Sequence, residues 1–318
     1  MHTVFALGLA LLLSAFTASA QNYPSKPIRI VTAAAGGNAD FVVRVVANAL
    51  TSNLGQQVLV DNRGGAGGVI AGSTVSKAAP DGHTVLVYGS AIWLVPFMRK
   101  DVPYDPAVDF SPVTLATSSP NILVVHPSVP VKSVQELIAL ARAKPGQIAN
   151  AGGNTGSSAH LASELFIAMA HVNILRVPYK GVGPSLNALV AGEVDMMFPP
   201  AGAVDPHVKQ GRLRALAATS AKPTRLAPGL PTVAASGVPG YESEAVLGVF
   251  VPAKTSADIV TRLNQVIRQV LSDPVVKDRL FDSGVDTVGS SPAELAAFVK
   301  ADMVRSGKLI KDIGIRGD

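Results

Sequence analysis

What most constrains this chain is a recurring order. A short β-branched run ends in a glycine-containing turn, and an amphipathic helix pattern follows at once. Residues 30–50, IVTAAAGGNADFVVRVVANAL, set the pattern. Ile28 to Val31 reads as a strand, Gly36-Gly37 as a turn, and Phe41, Val42, Val45, Val46, Ala49 and Leu50 fall on one helical face. Val58 to Val60 is a second strand, leading into the glycine-rich DNRGGAGGVIAGSTVSKAA. HTVLVYGS is a third, ending at Gly89-Ser90, and ILVVH (122–126) is another. VKSVQELIALARAKPG is a helix with a capping box from Ser133 to Glu136 and a Pro-Gly stop. QIANAGG, ILRVPYKG and LRALAAT read as strands, and GPSLNALVAGEVDMMF as a short helix and then a strand. The C-terminal part is mostly helical, with SADIVTRLNQVIRQVLSD and then SPAELAAFVKADMV, where Ser291 and Glu294 form a second capping box. Such alternation predicts an α/β protein with mostly parallel sheets flanked by helices.

The N-terminus reads as an export signal. Val4 to Leu13 is apolar and is followed by Ala18-Ser19-Ala20, an A-x-A cleavage site. The run is shorter than the roughly 20 apolar residues a membrane-spanning helix needs. The n-region carries His2 and no Lys or Arg. Cleavage after Ala20 (signal peptide 1–20) leaves about 300 residues, room for two domains of ~150 each. The chain has no cysteine, which excludes disulfides and thiolate chemistry and argues against a lipoprotein. Net charge is +5, with Lys and Arg scattered rather than clustered among aromatics, so nucleic acid is not an expected partner. Two stretches look like crossings between domains: SSPNILVV (118–125) and the proline-rich APGLPTVAASGVPGYES (227–243).

In open α/β sheets ligands sit beyond the carboxyl ends of the strands. Two turns there share a chemistry: AAAGGNAD, and GGNTGSSAHL at 152–161. Glycine lets the backbone expose N–H groups, and the helix start that follows adds unpaired donors and a positive partial charge. Together they make an anion site, for phosphate or carboxylate. The nucleotide-binding patterns G-x-x-x-x-G-K-[ST] and G-x-G-x-x-G are both absent, which favours carboxylate by elimination. The plainer reading makes the turns simple caps, since Asn38 and Ser157 are good N-cap residues.

Enzyme signatures are weak. No G-x-S-x-G elbow and no H-E-x-x-H occurs. His160 follows Ser157 and Ser158, but that spacing suits capping better than activation of a nucleophile, and no third partner is evident. No metal-ligand spacing is seen and no cofactor is implied. His126 reads as strand-end packing, His83 as a turn residue, and Asp40 as complementing its helix dipole.

YPSKPIRIV, a Gly-Gly turn with Asp40, and LGQQVLVDNRGGAGGVIAGSTVSKAAPDGHTVL resemble the opening of the Bug family, the substrate-binding proteins of tripartite tricarboxylate transporters. The likeness continues through LVVHPSVPVKSVQEL (123–137), GSSAHLASELF, VPYKGVGPSLNALVAGEVDMMF, GRLRALAAT, PTVAASGVPGYES and VPAKTSADIVTRLNQVI, nearly the whole mature chain. The resemblance implies a periplasmic binding protein of type II-like architecture, with a ligand cleft between two α/β domains. Domain 1 would take residues 22–121 plus 245–318, and domain 2 residues 122–244. It implies a carboxylate ligand held by two turns, partly through ordered water. The first turn would supply Thr32, Ala35, Gly37, Asn38 and Asp40. The second would supply Gly153, Asn154, Thr155, Ser157, Ser158 and His160. Strand-end turns at Ser90, Tyr179-Lys180 and Phe198-Pro199-Pro200 would complete the lining.

The chain departs from the family in two places. The family's first turn, usually P-F-x-P-G-G, is here Thr32-Ala33-Ala34-Ala35-Gly36-Gly37, which would widen the pocket. The tryptophan that often precedes the glycine of the late strand is here Leu247, and the only tryptophan is Trp93. Trp93 would either stack on a flat ligand or pack between helices. Aliphatic and aromatic acids both stay open, with a lean to aromatic acids such as a benzene dicarboxylate. The expected protein is monomeric and periplasmic, closes on its acid, and delivers it to a membrane permease. Docking on a sensor kinase is the rival binding role, and a secreted hydrolase using Ser157 and His160 is the rival of another class.

Overall fold

The computed structural model describes residues 23–152, 157–179, 181–312 and 314–316. The expected signal peptide, with its cleavage site after Ala20, lies outside the described residues, as do Gly153, Asn154, Thr155 and Lys180.

Two sheets organise the chain. The first contains β1 (Ile28–Thr32), β2 (Val58–Asn62), β3 (Thr84–Tyr88), β4 (Phe110–Pro120), β10 (Glu244–Pro252) and β11 (Asp286–Thr287), in the spatial order β11-β4-β10-β3-β1-β2. The second contains β5 (Ile122–Val125), β6 (Ala149–Gly152), β7 (Leu175–Pro178), β8 (Met196–Met197) and β9 (Arg214–Ala218), in the order β7-β6-β8-β5-β9. The α/β class and two-sheet architecture follow the alternation in the sequence, but the pairing is mixed rather than mostly parallel. β1 pairs in parallel with β2 and β3, and β6 with β7 and β8. The strands next to the crossings run the other way. β10 is antiparallel to both β3 and β4, with Glu244 opposite Pro120 and Pro252 opposite Phe110. β5 is antiparallel to β8 and β9. A chain that leaves a sheet and later returns at the same place must lay its exit and return strands antiparallel.

β1 shows why the strands are so apolar. Ile28 and Ile30 enter one buried cluster, with α1 (Asn38–Leu54) and α8 (Ala257–Ser272). Val31 enters another, with α2 (Val69–Ser76), α3 (Ala91–Met98) and α10 (Pro292–Asp312). Helices cover both faces, so both sets of side chains leave water, which is worth roughly 1.5–3 kcal/mol for each large aliphatic buried. The second sheet is covered in the same way, by α4 (Val134–Ala143) and α5 (Ser158–Ala170) on one face and α6 (Val182–Val190) and α7 (Ala201–Lys209) on the other. The short α9 (Pro274–Phe281) follows α8.

The two crossings are tied together. Thr219 is fully buried; its hydroxyl accepts the Asn121 N–H at 2.8 Å, and its own N–H donates to the Asn121 carbonyl at 2.9 Å. The Ser243 N–H donates to the Thr219 carbonyl at 3.0 Å. Beside them the lobes touch through bare backbone, where a Cβ on Gly202 of α7 would lie 2.5 Å from the Ser283 carbonyl oxygen. On the same side the Arg225 guanidinium lies 4.7 Å from the centre of the Phe281 ring.

Candidate ligand-binding cleft

The turn after β1 is exposed from Ala34 to Asn38 and is built almost wholly of alanine and glycine. The helix that follows begins at a Gly37 N-cap, with no side chain capping it. Asn38, a good cap residue by type, is already inside the helix. The first-turn N–H groups of α1 are therefore left without a capping side chain, and their partial positive charge faces the open side of the turn.

Asp40 fixes this turn from beneath. Its carboxylate accepts the Gly36 N–H at 2.9 Å and the Asn62 amide at 2.9 Å, and Arg44 stands 3.0 Å away. The Arg44 hydrogen bond, then the Gly36 and Asn62 bonds, hold the Asp40 carboxyl down at about 2. Asp40 is 6% exposed and offers no donor, so it shapes the turn rather than contacting an acid. Thr32 is likewise spent inside the sheet, its hydroxyl donating to the Val87 carbonyl at 2.8 Å. Asn62, which sequence reasoning passed over, donates to the Ala33 carbonyl at 2.8 Å as well as to Asp40. Gly64 brings the next loop so close that a Cβ there would lie 2.6 Å from that of Ala34. The only sequence signal for both was the DNRGG stretch, read simply as a glycine-rich turn.

The second helix start is capped. The Ser157 hydroxyl accepts the His160 N–H at 3.3 Å. His160 is 3% exposed, with its Nε2 3.6 Å from the Glu164 carboxylate one helical turn on. This is the capping arrangement that the spacing favours over a nucleophile–base pair. Ser158 lines a small cavity of about 30 Å³ together with Ser90, from the turn after β3. Leu161 of α5 packs into the cluster of Trp93, Leu94 and Val246, so the start of α5 faces the first lobe at the strand end carrying Ser90. β3 neighbours β1, which puts the Gly37 turn on the same edge. Tyr179 is half-buried at the end of β7, with its N–H on the Gly152 carbonyl at 3.1 Å. Pro199 is buried, and its carbonyl accepts the Ile122 N–H at 2.8 Å. Phe198 is a core residue, 5.6 Å from Phe166 between ring centres, and does not line the cleft.

Trp93 requires a correction. It is 1% exposed, its indole N–H is bonded to Asp302, and Phe250 and Phe298 pack 5.9 and 6.4 Å from it. No face is left for a ligand, so the packing alternative holds. Α helix begins directly after Ser90, and that turns the side chain inward, away from the strand end. Among the described residues no group of three or more His, Cys, Asp or Glu could hold a metal ion.

The chain matches the family described as "Tripartite tricarboxylate transporter family receptor" over residues 42–315. It is 38% identical over 308 residues to the UPF0065 protein in the tcbD-tcbE intergenic region of a Pseudomonas species, covering 95% of this chain and 92% of that one. It also resembles the solved structure of R. palustris Rpa4515 with adipate, with TM-score 0.78, 36% identity, and 92% of this chain and 99% of that one covered. The structure of MatC (Rpa3494) from Rhodopseudomonas palustris with bound malate gives TM-score 0.75 and 29% identity, over 91% of this chain and 100% of that one.

Proposed function

The chain belongs to the tripartite tricarboxylate transporter receptor family, and on that premise we propose that it is a periplasmic solute-binding protein for a small aliphatic dicarboxylate. It is exported by its N-terminal signal, works as a monomer, closes two domains (22–121 plus 245–318, and 122–244) on its ligand, and delivers it to the transporter's membrane permease. The observation that carries the reading is the uncapped helix start at Gly37, on the edge where Ser90 and Ser158 of opposite lobes meet. One carboxylate takes the open amides of α1. The other reaches the turn that opens α5, where Ser157, Ser158 and the preceding Gly153, Asn154 and Thr155 would supply neutral donors. A ligand touching both lobes binds the closed form more tightly than the open one, and that difference drives closure. Two points turn the choice from aromatic to aliphatic: the burial of Trp93, and the adipate and malate held by the two relatives.

Thermal unfolding of protein freed of carried-over ligand tests this, against adipate, malate, succinate, citrate, benzoate and phthalate, with sulfate and phosphate as controls. A dicarboxylate at ~100 times its dissociation constant stabilises by about 2.7 kcal/mol. No shift with any organic acid, or an equal shift with sulfate, sinks the proposal.

A further inference from the structure

Away from the cleft, a groove of about 700 Å³ runs along the first lobe between α10 and the strand segments of β4 and β10 that carry Phe110, Pro112 and Phe250. It extends from the middle of the sheet, where Phe250 pairs with Leu86, towards the end away from Ser90, where Phe110 pairs with Pro252. Its wall is apolar, with Phe97, Phe110, Pro112, Phe250 and Met303, and Val304 stands at its edge 69% exposed. Gly307 lets the wall close up, since a Cβ there would lie 2.6 Å from the Phe97 ring.

The rim is basic. Lys300, Lys308 and Lys311 all border the groove, against one carboxylate, Asp312, which pairs with Lys308. Lys300 and Lys311 have no ion pair among the described residues, and the Lys311 ammonium lies 5.2 Å from the centre of the Phe97 ring. Eleven residues apart on one helix, these two fall within about 20° of the same face. The volume falls in the range of small-ligand pockets, roughly 300–1,000 Å³. The groove's 15 lining residues are fewer than the roughly 20–30 a side of a stable protein interface. A long apolar slot with ammonium groups along one lip suits an apolar chain ending in one anionic group.

We propose that this groove is a second binding site, taking the acyl chain of a free aliphatic monocarboxylate against Phe97, Phe110 and Phe250, with its carboxylate drawn to the basic lip, at the Lys311 end beside Phe97, and Lys300 adding positive charge further along the slot. The proposal is independent of the cleft and its dicarboxylate.

Titration calorimetry with dodecanoate below its micellar concentration tests it, with dodecyltrimethylammonium as the charge control. Dodecanoate is expected to bind and the ammonium at least about tenfold more weakly. Val304→Asp, an exposed position, and the double variant Lys300→Gln/Lys311→Gln should each weaken dodecanoate about tenfold while the unfolding temperature holds. The proposal is overturned if dodecanoate gives no binding, or if the ammonium binds equally well. It also fails if both variants bind dodecanoate like the parent, which would place the acid elsewhere. Binding to phosphatidylglycerol vesicles without binding to monomeric dodecanoate would likewise overturn it, by marking a membrane-contact face instead.

Discussion

Trp93 donates its indole N–H to Asp302 at 2.7 Å, a bond between residues 209 positions apart in sequence. It joins α3 to the C-terminal helix, and Asp302 also accepts from the Ser306 hydroxyl at 2.6 Å. Asp302→Ala leaves a buried indole N–H unpaired and should destabilise the protein by about 1–3 kcal/mol in urea unfolding, with Asp302→Asn losing less because an amide oxygen still accepts. Trp93→Phe should also cost stability, yet leave the affinity for the stabilising acid within about twofold where the variant is folded. A large loss of affinity would restore the stacking role.

Asp40 makes the turn after β1 sensitive to acid. Its carboxyl lies at about 2 in the fold, below the roughly 3.9 of an unfolded aspartate. A depressed acid stabilises fully above the unfolded value, and the contribution is lost as pH falls through the folded one. Asp40→Asn should therefore flatten the pH dependence of the urea midpoint between about pH 4 and 2. At neutral pH it should also weaken ligand binding, because the Arg44 and Gly36 bonds that set the turn are impaired. An unchanged acid limb would show that other carboxylates set it.

Two glycines, one in the turn after β1 and one in the loop packed against it, separate strain from crowding. Gly64 has no positive φ, but a methyl there would lie 2.6 Å from the Ala34 Cβ and 3.0 Å from its backbone. Gly64→Ala should push the turn outward, costing about 1–3 kcal/mol and several-fold in ligand affinity. Gly36 has φ +81° with open space around it, so Gly36→Ala carries only the backbone penalty, about 1 kcal/mol. Equal effects of the two on affinity would count against the contact with Ala34.

Glu244 opens the return strand opposite Pro120, and its carboxylate accepts a hydrogen bond from the hydroxyl of Ser118 on the exit strand. Burial pushes its carboxyl up. The Ser118 bond opposes this, Glu242 and Asp286 add to it, and Arg305 opposes it weakly. With the folded value above the unfolded one, stability is complete below the unfolded value and falls as pH rises through the folded one. Glu244→Gln should remove that loss and raise the midpoint at neutral pH relative to the parent. No gain in Glu244→Gln would mean that ionised Glu244 is compensated in the fold.

Gly202 and Gly284 let the lobes meet backbone to backbone. A methyl on Gly202 would lie 2.5 Å from the Ser283 carbonyl oxygen and 2.9 Å from its carbon, and backbone cannot swing aside as a side chain can. Gly202→Ala should cost about 1–3 kcal/mol and shift the resting angle between the lobes, lowering ligand affinity in the folded fraction. Small-angle scattering with and without ligand would read the angle. An unaltered profile with normal affinity would show that the contact does not set it.

The alternation of strand, turn and helix was legible because its period is local: Ile28 and Ile30 face one way, Val31 the other, and the helix stripe after Gly37 follows at once. The pairing of β4 with β10 was not, since residues 110–120 and 244–252 meet only in the folded chain. Of the candidate site, the two helix starts could be read from composition. Their difference could not, because Asn38 and Ser157 are equally good caps by type and only the fold shows that Ser157 caps while Gly37 leaves its helix open. For Trp93 the sequence left stacking on a ligand and packing between helices open, and only the fold, in which the chain turns straight into α3, shows the indole buried. Asn62 acts through Asp40 and Ala33, some 20–30 residues away in sequence, and no local pattern announces that.

Thr219 receives the outgoing chain at Asn121 and the returning chain at Ser243, so the hydrogen bonds of both connections gather around one buried threonine. Two connections tied at a common place cannot slide past each other, and any movement between the lobes has to pivot there, with sideways slip opposed.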